Sequence, residues 1–162
     1  MQLATTTSGG AIVGVLVSNV GSDGGLLIPV IEEVERLHGV HVQRALADGG
    51  YVNLKAIETL TTREHSVDVF TPPPTPRTPA TDRRRRRAGD SPAVGAWRER
   101  MGSEEGQTTY RRRSGAAEWA NAGLSNRGLQ RFNVRGRRRA RSVVLWHAIA
   151  HNLTRWMAGK ME

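Results

Sequence analysis

The feature that most constrains the fold is a continuous apolar run, rich in β-branched residues, near the amino terminus. Residues 11–18 read AIVGVLVS and lie between two glycines and a polar, glycine-rich segment. An uninterrupted run of this length is typical of a strand that is buried on both faces. Such a strand lies inside a sheet covered by helices, so the run predicts an α/β fold.

Two amphipathic segments supply the helices that this fold requires. In the first, apolar residues recur at spacings of three and four, with Ser22 or Asp23 in position to cap the helix and Gly39 to end it. The second begins at about Asn53 and carries a similar apolar face. Both segments are long enough to cross over between strands of one sheet.

Two further strands complete the pattern of the amino-terminal part. They are predicted over residues 42–47 and 66–70, each separated from the previous strand by a helix. An alternation of strands and helices predicts a parallel sheet with crossover helices. Residues 1–70 are therefore predicted to form an α/β core.

The composition changes abruptly in residues 71–92. This segment contains six of the seven prolines and six arginines in 22 residues, without an apolar anchor. Proline favours extended backbone, and like charges repel one another. The segment is predicted to be a disordered linker.

Residues 93–162 are predicted to be helical. Ser91 and Pro92 form a typical helix start, and Ser103 is positioned to cap the next helix. The clearest helix covers residues 137–157, where apolar residues form a stripe at helical spacing: Val143, Trp146, Ile149, Ala150, Leu153 and Trp156. His147 and His151 flank this stripe and are interpreted as packing residues, because residue 148 is not the glutamate of a zinc-protease motif.

Charge divides the chain in the same place as composition does. Residues 1–70 hold four bases and eight acids, a net charge of −4, whereas residues 71–162 hold twenty bases and seven acids, a net charge of +13. Only two of the bases are lysines, and arginine binds phosphate oxygens in a bidentate manner, which makes nucleic acid the leading class of partner. The alternative is that the arginine runs are solvated surface. With no cysteine, no signal segment and no apolar run of membrane-spanning length, a soluble cytoplasmic protein is the default expectation.

Two carboxylates occupy positions that suit a catalytic or metal-binding role. Asp48 follows a predicted buried strand, at the edge of a sheet where ligands and catalytic groups collect, although Asp-Gly-Gly is also ordinary turn sequence. Glu118 lies on a predicted helix after three consecutive arginines and shares a face with Arg111. A carboxylate beside phosphate-binding cations suits a metal site that acts on a phosphodiester, and the alternative is a surface ion pair.

Four segments, taken in order, resemble the DDE transposases of bacterial insertion sequences. They are SNVGSDGGLLIPVIEEVERLHG, LADGGY, the stretch from GDSPAVGAW to RFNVRG, and VLWHAIAHNL. The resemblance implies an RNase H-like catalytic domain that presents two aspartates and one glutamate. Asp48 matches the second aspartate, and Tyr110, Arg113 and Glu118 match the segment that carries the glutamate.

The resemblance also implies cofactors, partners and roles. Asp48 and Glu118 become catalytic metal ligands for Mg²⁺ or Mn²⁺, in a family that holds two ions about 4 Å apart over the scissile phosphate. The partner implied by the resemblance is DNA, both the insertion-sequence ends and the target DNA, in a complex with a homodimer of the protein. The residues expected to contact DNA are Tyr110, Arg111, Arg112, Arg113, Arg83, Arg84, Arg85, Arg86, Arg87 and Arg127.

The sequence departs from the family pattern in three places. Four residues rather than three separate Arg113 from Glu118, as in some branches of the family. The lysine expected after the glutamate is Ser125, with Arg127 as the nearest base, and residues 1–10 contain no candidate for the first aspartate. We therefore expect a truncated fragment that is inactive alone, with weak or single metal binding. Its sheet is expected to lack a central strand and to leave an unpaired edge. The alternative function is a non-enzymatic, basic DNA-binding remnant or a regulator of transposition.

Overall fold

The computed structural model describes residues 1–75 and 82–160, and in these residues it has a mixed α/β fold, which confirms the predicted class. Two short 3₁₀ turns, Asp23–Gly25 and Gly49–Tyr51, follow the second and third strands. The helices and strands, numbered in chain order, are β1 (Gln2–Thr5), β2 (Ile12–Leu16), α1 (Leu27–His38), β3 (Arg44–Leu46), α2 (Leu54–Thr62), β4 (Asp68–Phe70), α3 (Pro92–Gly102), α4 (Glu104–Asn126) and α5 (Arg137–Met157).

The strands form two separate pairs rather than one parallel sheet. β1 and β2 are antiparallel, whereas β3 and β4 are parallel, with Ala45 opposite Val69. The expectation of parallel pairing is therefore correct for β3 and β4 and wrong for β2. The sequence pattern did not reveal β1, because Gln-Leu-Ala-Thr is a short, mixed segment without the β-branched run that marks β2.

Side-chain caps begin three of the five helices in the described residues, and the caps of α3 and α4 were predicted. Asn53 accepts a hydrogen bond from the backbone N–H of Ala56 at 3.1 Å, and Ser103 accepts one from Gly106 at 3.0 Å. Gly39 ends α1 with a φ of 63°, in the left-handed region that favours glycine. Ser22 differs from its prediction, because it caps the 3₁₀ turn that precedes α1 rather than α1 itself.

The helices cover the β1–β2 pair on both faces. Adjacent residues of a strand point to opposite faces. In β2, Gly14 faces α1, where a β-carbon would lie 2.7 Å from Val34, and Val15 belongs to a core cluster with α4 and α5. The order of layers is therefore α1, the strands, and then α4 with α5.

Two hydrophobic clusters hold these layers together. The larger joins α1, α2, β4 and α3, with Trp97 and Ile57 fully buried. The smaller joins β2 to α4 and α5, with Leu124 and Val144 at its centre. Each cluster contains residues from both sides of the change in composition at residue 71.

Helix α5 has the predicted bounds but packs through a different face. The buried residues are Ala140, Val144, Ala148 and His151, whereas Trp146 and Trp156 of the apolar stripe are 73% and 65% exposed. Small residues let α5 approach α4 closely, and at Gly123 a β-carbon would lie only 2.5 Å from the His151 ring. The prediction that His151 packs is confirmed, and the stripe beside it is mostly surface.

The described ends of the predicted linker make specific contacts. Thr71 is fully buried, and Arg98 of α3 forms a buried ion pair with Asp90 at 2.8 Å. Arg98 also donates to the backbone carbonyl of Arg83 at 3.0 Å. Residues 76–81, in the middle of the predicted linker, lie outside the described residues.

Candidate functional site

Asp48 lies two residues after the end of the short strand β3, near the carboxyl end that the sequence predicted. Its side chain caps the turn Gly49–Tyr51, and Oδ1 accepts a hydrogen bond from the backbone N–H of Gly50 at 2.9 Å. The residue is exposed. Asp48 can therefore cap the turn and still be available to a ligand, because the capping hydrogen bond orients the carboxylate without burying it.

A second carboxylate, Asp23, lies beside Asp48. A β-carbon on Gly50 would lie 3.0 Å from Oδ1 of Asp48 and 3.6 Å from Oδ2 of Asp23, so both carboxylates reach the same side of this glycine. The Gln2 side chain holds Asp23 in place by donating to Oδ1 at 2.6 Å. Sequence reasoning interpreted Asp23 only as a cap. The signal that it missed is a repeat, since Asp-Gly-Gly follows both β2 and β3.

Tyr51 connects this acidic pair to the neighbouring strand. Its hydroxyl donates a hydrogen bond to Oε1 of Gln2, at the start of β1. Burial, followed by the charges of Asp23 and Asp48, raises the pKa of Tyr51 to about 12, and Arg113 opposes the shift. The hydroxyl therefore stays protonated at neutral pH, and it joins the start of β1 to the end of β3.

A cavity of about 590 Å³ opens next to these residues. Its two side walls are the strands β1 and β3, α1 forms one face, and α4 contributes Arg113, Ala116, Ala117 and Asn121 to another. Asp23, Asp48 and Tyr51 lie at one end. We call this cavity the interstrand groove.

The predicted glutamate segment of α4 is divided between two environments. Arg113 lines the interstrand groove and its guanidinium lies 5.7 Å from the ring centre of Tyr110, which packs against the larger core cluster. Glu118 is exposed and does not line the groove. The structure thus brings Arg113 and Asp48 to one cavity and places Glu118 outside it.

The other predicted DNA-contacting residues also differ in their surroundings. Arg111 and Arg112 are exposed on α4, and Arg85, Arg86 and Arg87 are exposed before α3, whereas Arg83 and Arg84 are partly buried. Arg127 donates to the carbonyl oxygen of Gly123 at 2.7 Å and is partly buried at the end of α4. The arginine run before α3 is thus exposed over Arg85, Arg86 and Arg87, and the exposed arginines of α4 are Arg111 and Arg112.

A cluster of cations around an exposed tryptophan was not predicted. Trp119 is 56% exposed, with the Arg155 guanidinium 5.0 Å and the Lys160 ammonium 5.5 Å from its ring centre. Arg112 lines the same shallow cavity of about 360 Å³ as Trp119 and Arg155. We call these four residues the Trp119 cluster. Sequence reasoning missed it, because α5 and the residues after it meet α4 only in the folded chain.

Comparison with known proteins identifies the carboxyl-terminal part. Residues 79–157, which include α3, α4 and α5, match the family model described as Transposase DDE domain. This segment is therefore similar to the catalytic domain of DDE-type transposases. Comparisons with curated proteins and with solved structures gave no match.

The described residues of the chain do not form a complete metal site as they are placed. Within residues 1–75 and 82–160, no group of three or more histidine, aspartate or glutamate residues could hold a metal ion. Asp23 and Asp48 offer two neighbouring carboxylates, but a two-ion site needs further ligands that share and flank both ions. The donor set around Asp48 therefore does not fit the two-ion centre implied by the family resemblance.

In the described part of the chain, none of the helices combines sufficient length with sufficient apolar character to cross a bilayer.

Proposed function

We propose that this chain acts on DNA in transposition, as a transposase segment that binds DNA along α4 and places Asp48 at the processing site. One observation carries the proposal: Arg113, from the family-matched helix, and Asp48, from the strand-bearing part, line the same groove beside Tyr51. A phosphate-binding cation and a carboxylate thus lie at one end of one groove. This combination suits a phosphodiester substrate.

The proposed architecture is RNase H-like. In support, β1 and β3 are the two walls of the interstrand groove, β1 pairs on its other side with β2, and β3 pairs with β4. The strands therefore follow one another in space as β2, β1, β3 and β4, with the groove in the middle. Asp48 follows β3 at this central position.

The Trp119 cluster is the surface that we propose for DNA. Its three cations surround an exposed aromatic ring, and nucleic-acid sites combine such cations, which bind phosphate, with rings that stack on bases or pack against sugars. Arg112 lies on α4 one residue before Arg113, so the cluster is close to the groove along the helix. DNA on this surface would pass the end of the groove at which β1 ends, because Thr7 lines both cavities.

A second function, DNA binding without cleavage, is favoured by the position of Glu118. Asp48 and Glu118 are the proposed catalytic carboxylates, yet Glu118 is exposed outside the groove that contains Asp48. A chain with this arrangement can bind DNA while lacking an assembled centre for strand cleavage. We therefore propose that the chain alone binds DNA and does not nick it.

Binding can be tested by fluorescence anisotropy with the full chain and a labelled duplex at several salt concentrations. Arg112→Gln should weaken binding and reduce the salt slope by about 0.9, the value for one lost phosphate contact. Trp119→Ala should weaken binding, whereas Trp146→Ala, at the more exposed tryptophan of α5, should not. Equal effects of the two tryptophan changes would contradict the proposed surface.

Cleavage can be tested with supercoiled plasmid and Mn²⁺. The wild-type chain is expected to leave the plasmid intact. Nicking that Asp48→Asn and Glu118→Gln abolish, and that Glu105→Gln leaves unchanged, would contradict the non-cleaving function and establish both carboxylates as catalytic. Glu105 is a suitable control because it is an exposed acid at the start of the same helix.

A further inference from the structure

The segment that contains the five consecutive arginines is packed against helix α3. We call residues 82–90 the arginine segment. At Gly95 of α3 a β-carbon would lie 2.9 Å from Cδ of Arg86, and at Gly102 it would lie 3.3 Å from Cβ of Arg84. Both distances are shorter than ordinary van der Waals contact. The aliphatic parts of these two arginines therefore occupy space that the two glycines leave on α3.

One face of α3 makes all of these contacts. Gly95, Arg98 and Gly102 are spaced by three and four residues, which places them on the same side of a helix. The Arg98 side chain, only 3% exposed, donates to the carboxylate of Asp90 at 2.8 Å and to the backbone carbonyl of Arg83 at 3.0 Å. Arg98 thus binds both ends of the arginine segment to the middle of this face.

The two glycines also fix the direction of the arginine segment. Arg84 packs at Gly102, near the end of α3. Arg86, two residues later, packs at Gly95, near the start of the helix. The segment therefore runs antiparallel to α3 with a defined register.

Little negative charge is left to oppose these arginines. The two acids of the segment, Asp82 and Asp90, accept backbone hydrogen bonds within it at 2.9 and 2.8 Å, and Asp90 also pairs with Arg98. Among the described residues, no carboxylate forms an ion pair with Arg85 or Arg86, and both side chains are exposed. The segment therefore presents uncompensated cations to the solvent.

The packing of Arg86 on Gly95 reduces the freedom of a cation before any ligand binds. A side chain that is already ordered loses less conformational entropy when it binds an anion. Arginine matches phosphate oxygens with two N–H donors, and residues 82–90 contain no aromatic side chain that could stack on a base. These features suit the backbone of a nucleic acid and provide no means of reading its sequence.

We propose that α3 positions the arginine segment as a preordered site for the phosphate backbone of duplex DNA, with Gly95 setting the place of Arg86. The inference rests on the proposed function, because it takes DNA as the partner, and it adds a second contact surface to the Trp119 cluster. Binding at this site is independent of the DNA sequence. Its strength depends on the order that α3 gives to the arginines.

The test measures duplex binding by the full chain in fluorescence anisotropy at several salt concentrations. Gly95→Ala places a methyl group where the stem of Arg86 lies, and alanine is favoured over glycine in a helix, so α3 should remain folded. The variant should bind about two- to tenfold more weakly, the effect of one side chain that must be ordered on binding. Gly89→Ala, in the same segment, is the matched control and should bind like the wild-type chain, because nothing lies within 4 Å of the added carbon.

A double-mutant comparison separates positioning from a general change in the fold. Arg86→Gln should weaken binding and lower the salt slope by about 0.9, the value for one lost phosphate contact. In that background Gly95→Ala should have no further effect, since the cation that it displaces is gone. Additive losses from the two changes would overturn the proposal. Unchanged affinity and slope in Arg86→Gln, which alters an exposed side chain, would overturn it as well.

The outcomes distinguish this inference from the proposed function. If Trp119→Ala weakens binding and neither Arg86→Gln nor Gly95→Ala does, the arginine segment is overturned and the Trp119 cluster stands. The reverse result would support the arginine segment and overturn the Trp119 cluster. If the wild-type chain does not bind the duplex, both are overturned. Polyglutamate that competes as well as DNA at equal charge would overturn phosphate as the ligand.

Discussion

The two parts of the chain on either side of residue 71 differ in almost every respect except packing. Residues 1–70 carry a net charge of −4 and all four strands, whereas residues 71–162 carry a net charge of +13 and contribute only helices to the described structure. Yet Trp97 packs with Ile57, and Val144 packs with Ile12, so both core clusters cross the boundary. The change at residue 71 separates an acidic segment from a basic one, but both hydrophobic clusters contain residues from each side of it.

The comparison also explains why the candidate site needs both parts. The strands place Asp23 and Asp48 at one end of the groove, and α4 brings Arg113 to the same cavity. The strand-bearing part provides carboxylates with few cations, and the helical part provides cations with few buried acids. A phosphodiester site requires both, and the shared cores are what hold them together.

The largest expected effect is the loss of the shared core at Trp97. Trp97→Ala should lower the free energy of unfolding by about 3–5 kcal/mol, because the side chain is fully buried between the two parts. Trp146→Ala, at a 73% exposed tryptophan, should change it by less than about 0.5 kcal/mol. Urea unfolding measures both values. If the two parts were energetically separate, amides near Ile57 would keep their protection in the Trp97 variant.

The buried ion pair between Asp90 and Arg98 should come next. Asp90→Asn leaves the Arg98 guanidinium buried without its carboxylate, at a cost of about 3–5 kcal/mol. The control is Asp68→Asn, which removes a 2.6 Å pair with Arg100 whose carboxylate is 52% exposed and should cost at most about 1 kcal/mol. Similar costs for both changes would show that burial does not distinguish these pairs.

The ion pair between Asp90 and Arg98 is expected to account for part of the loss of stability at low pH. Burial raises the pKa of Asp90, but hydrogen bonds from the Arg87 backbone and Arg98 outweigh it, so the pKa is lowered. Because the pKa of Asp90 is lower in the folded than in the unfolded state, where it is about 3.9, the carboxylate stabilises the fold at pH values above about 3.9. This stabilisation is lost as the pH falls through the pKa of the folded state. Urea midpoints measured from pH 6 downward should fall less steeply in Asp90→Asn than in the wild-type chain.

A smaller effect is expected at His151, where α5 meets the loop before β2. Burial and the charges of Arg127 and Arg155 lower the pKa of His151, although its hydrogen bond to the Gly10 carbonyl opposes them. The folded state therefore favours the neutral imidazole. The free energy of unfolding should be highest above about pH 6.5, the pKa of a histidine in the unfolded chain, and should decline as the pH falls below that value. His151→Gln should remove this decline, whereas His147→Gln, at a less buried ring, should retain it.

The smallest expected effect concerns an ion pair that connects the two parts at the surface. Glu33 of α1 accepts from Arg36 at 2.8 Å and from Arg141 of α5. Glu33→Gln should cost at most about 1 kcal/mol, because solvent screens partly exposed pairs. Glu32→Gln, at an exposed neighbour, is the matched control. A cost well above this value would mean that charge, as well as the cores, joins the two parts.

Predictions from the sequence succeeded where the cause was local. Ser91 and Ser103 cap the helices that they were predicted to cap, because a capping bond spans only three residues. The position of Asp48 at the end of a strand also follows from neighbouring residues. The buried face of α5 was not predictable in this way, since the apolar stripe is correct in period but the packing face is selected by Gly123 and His151.

The sequence by itself determined the α/β class, the helix boundaries, the contrast in charge and the place of Asp48, because each depends on spacing or composition within a short segment. Only the tertiary structure brought Asp23 to Asp48, Trp119 to Arg155, and the edge of β1 opposite the edge of β3. These contacts join residues far apart in the chain. Their formation depends on how the layers pack, which no local pattern specifies.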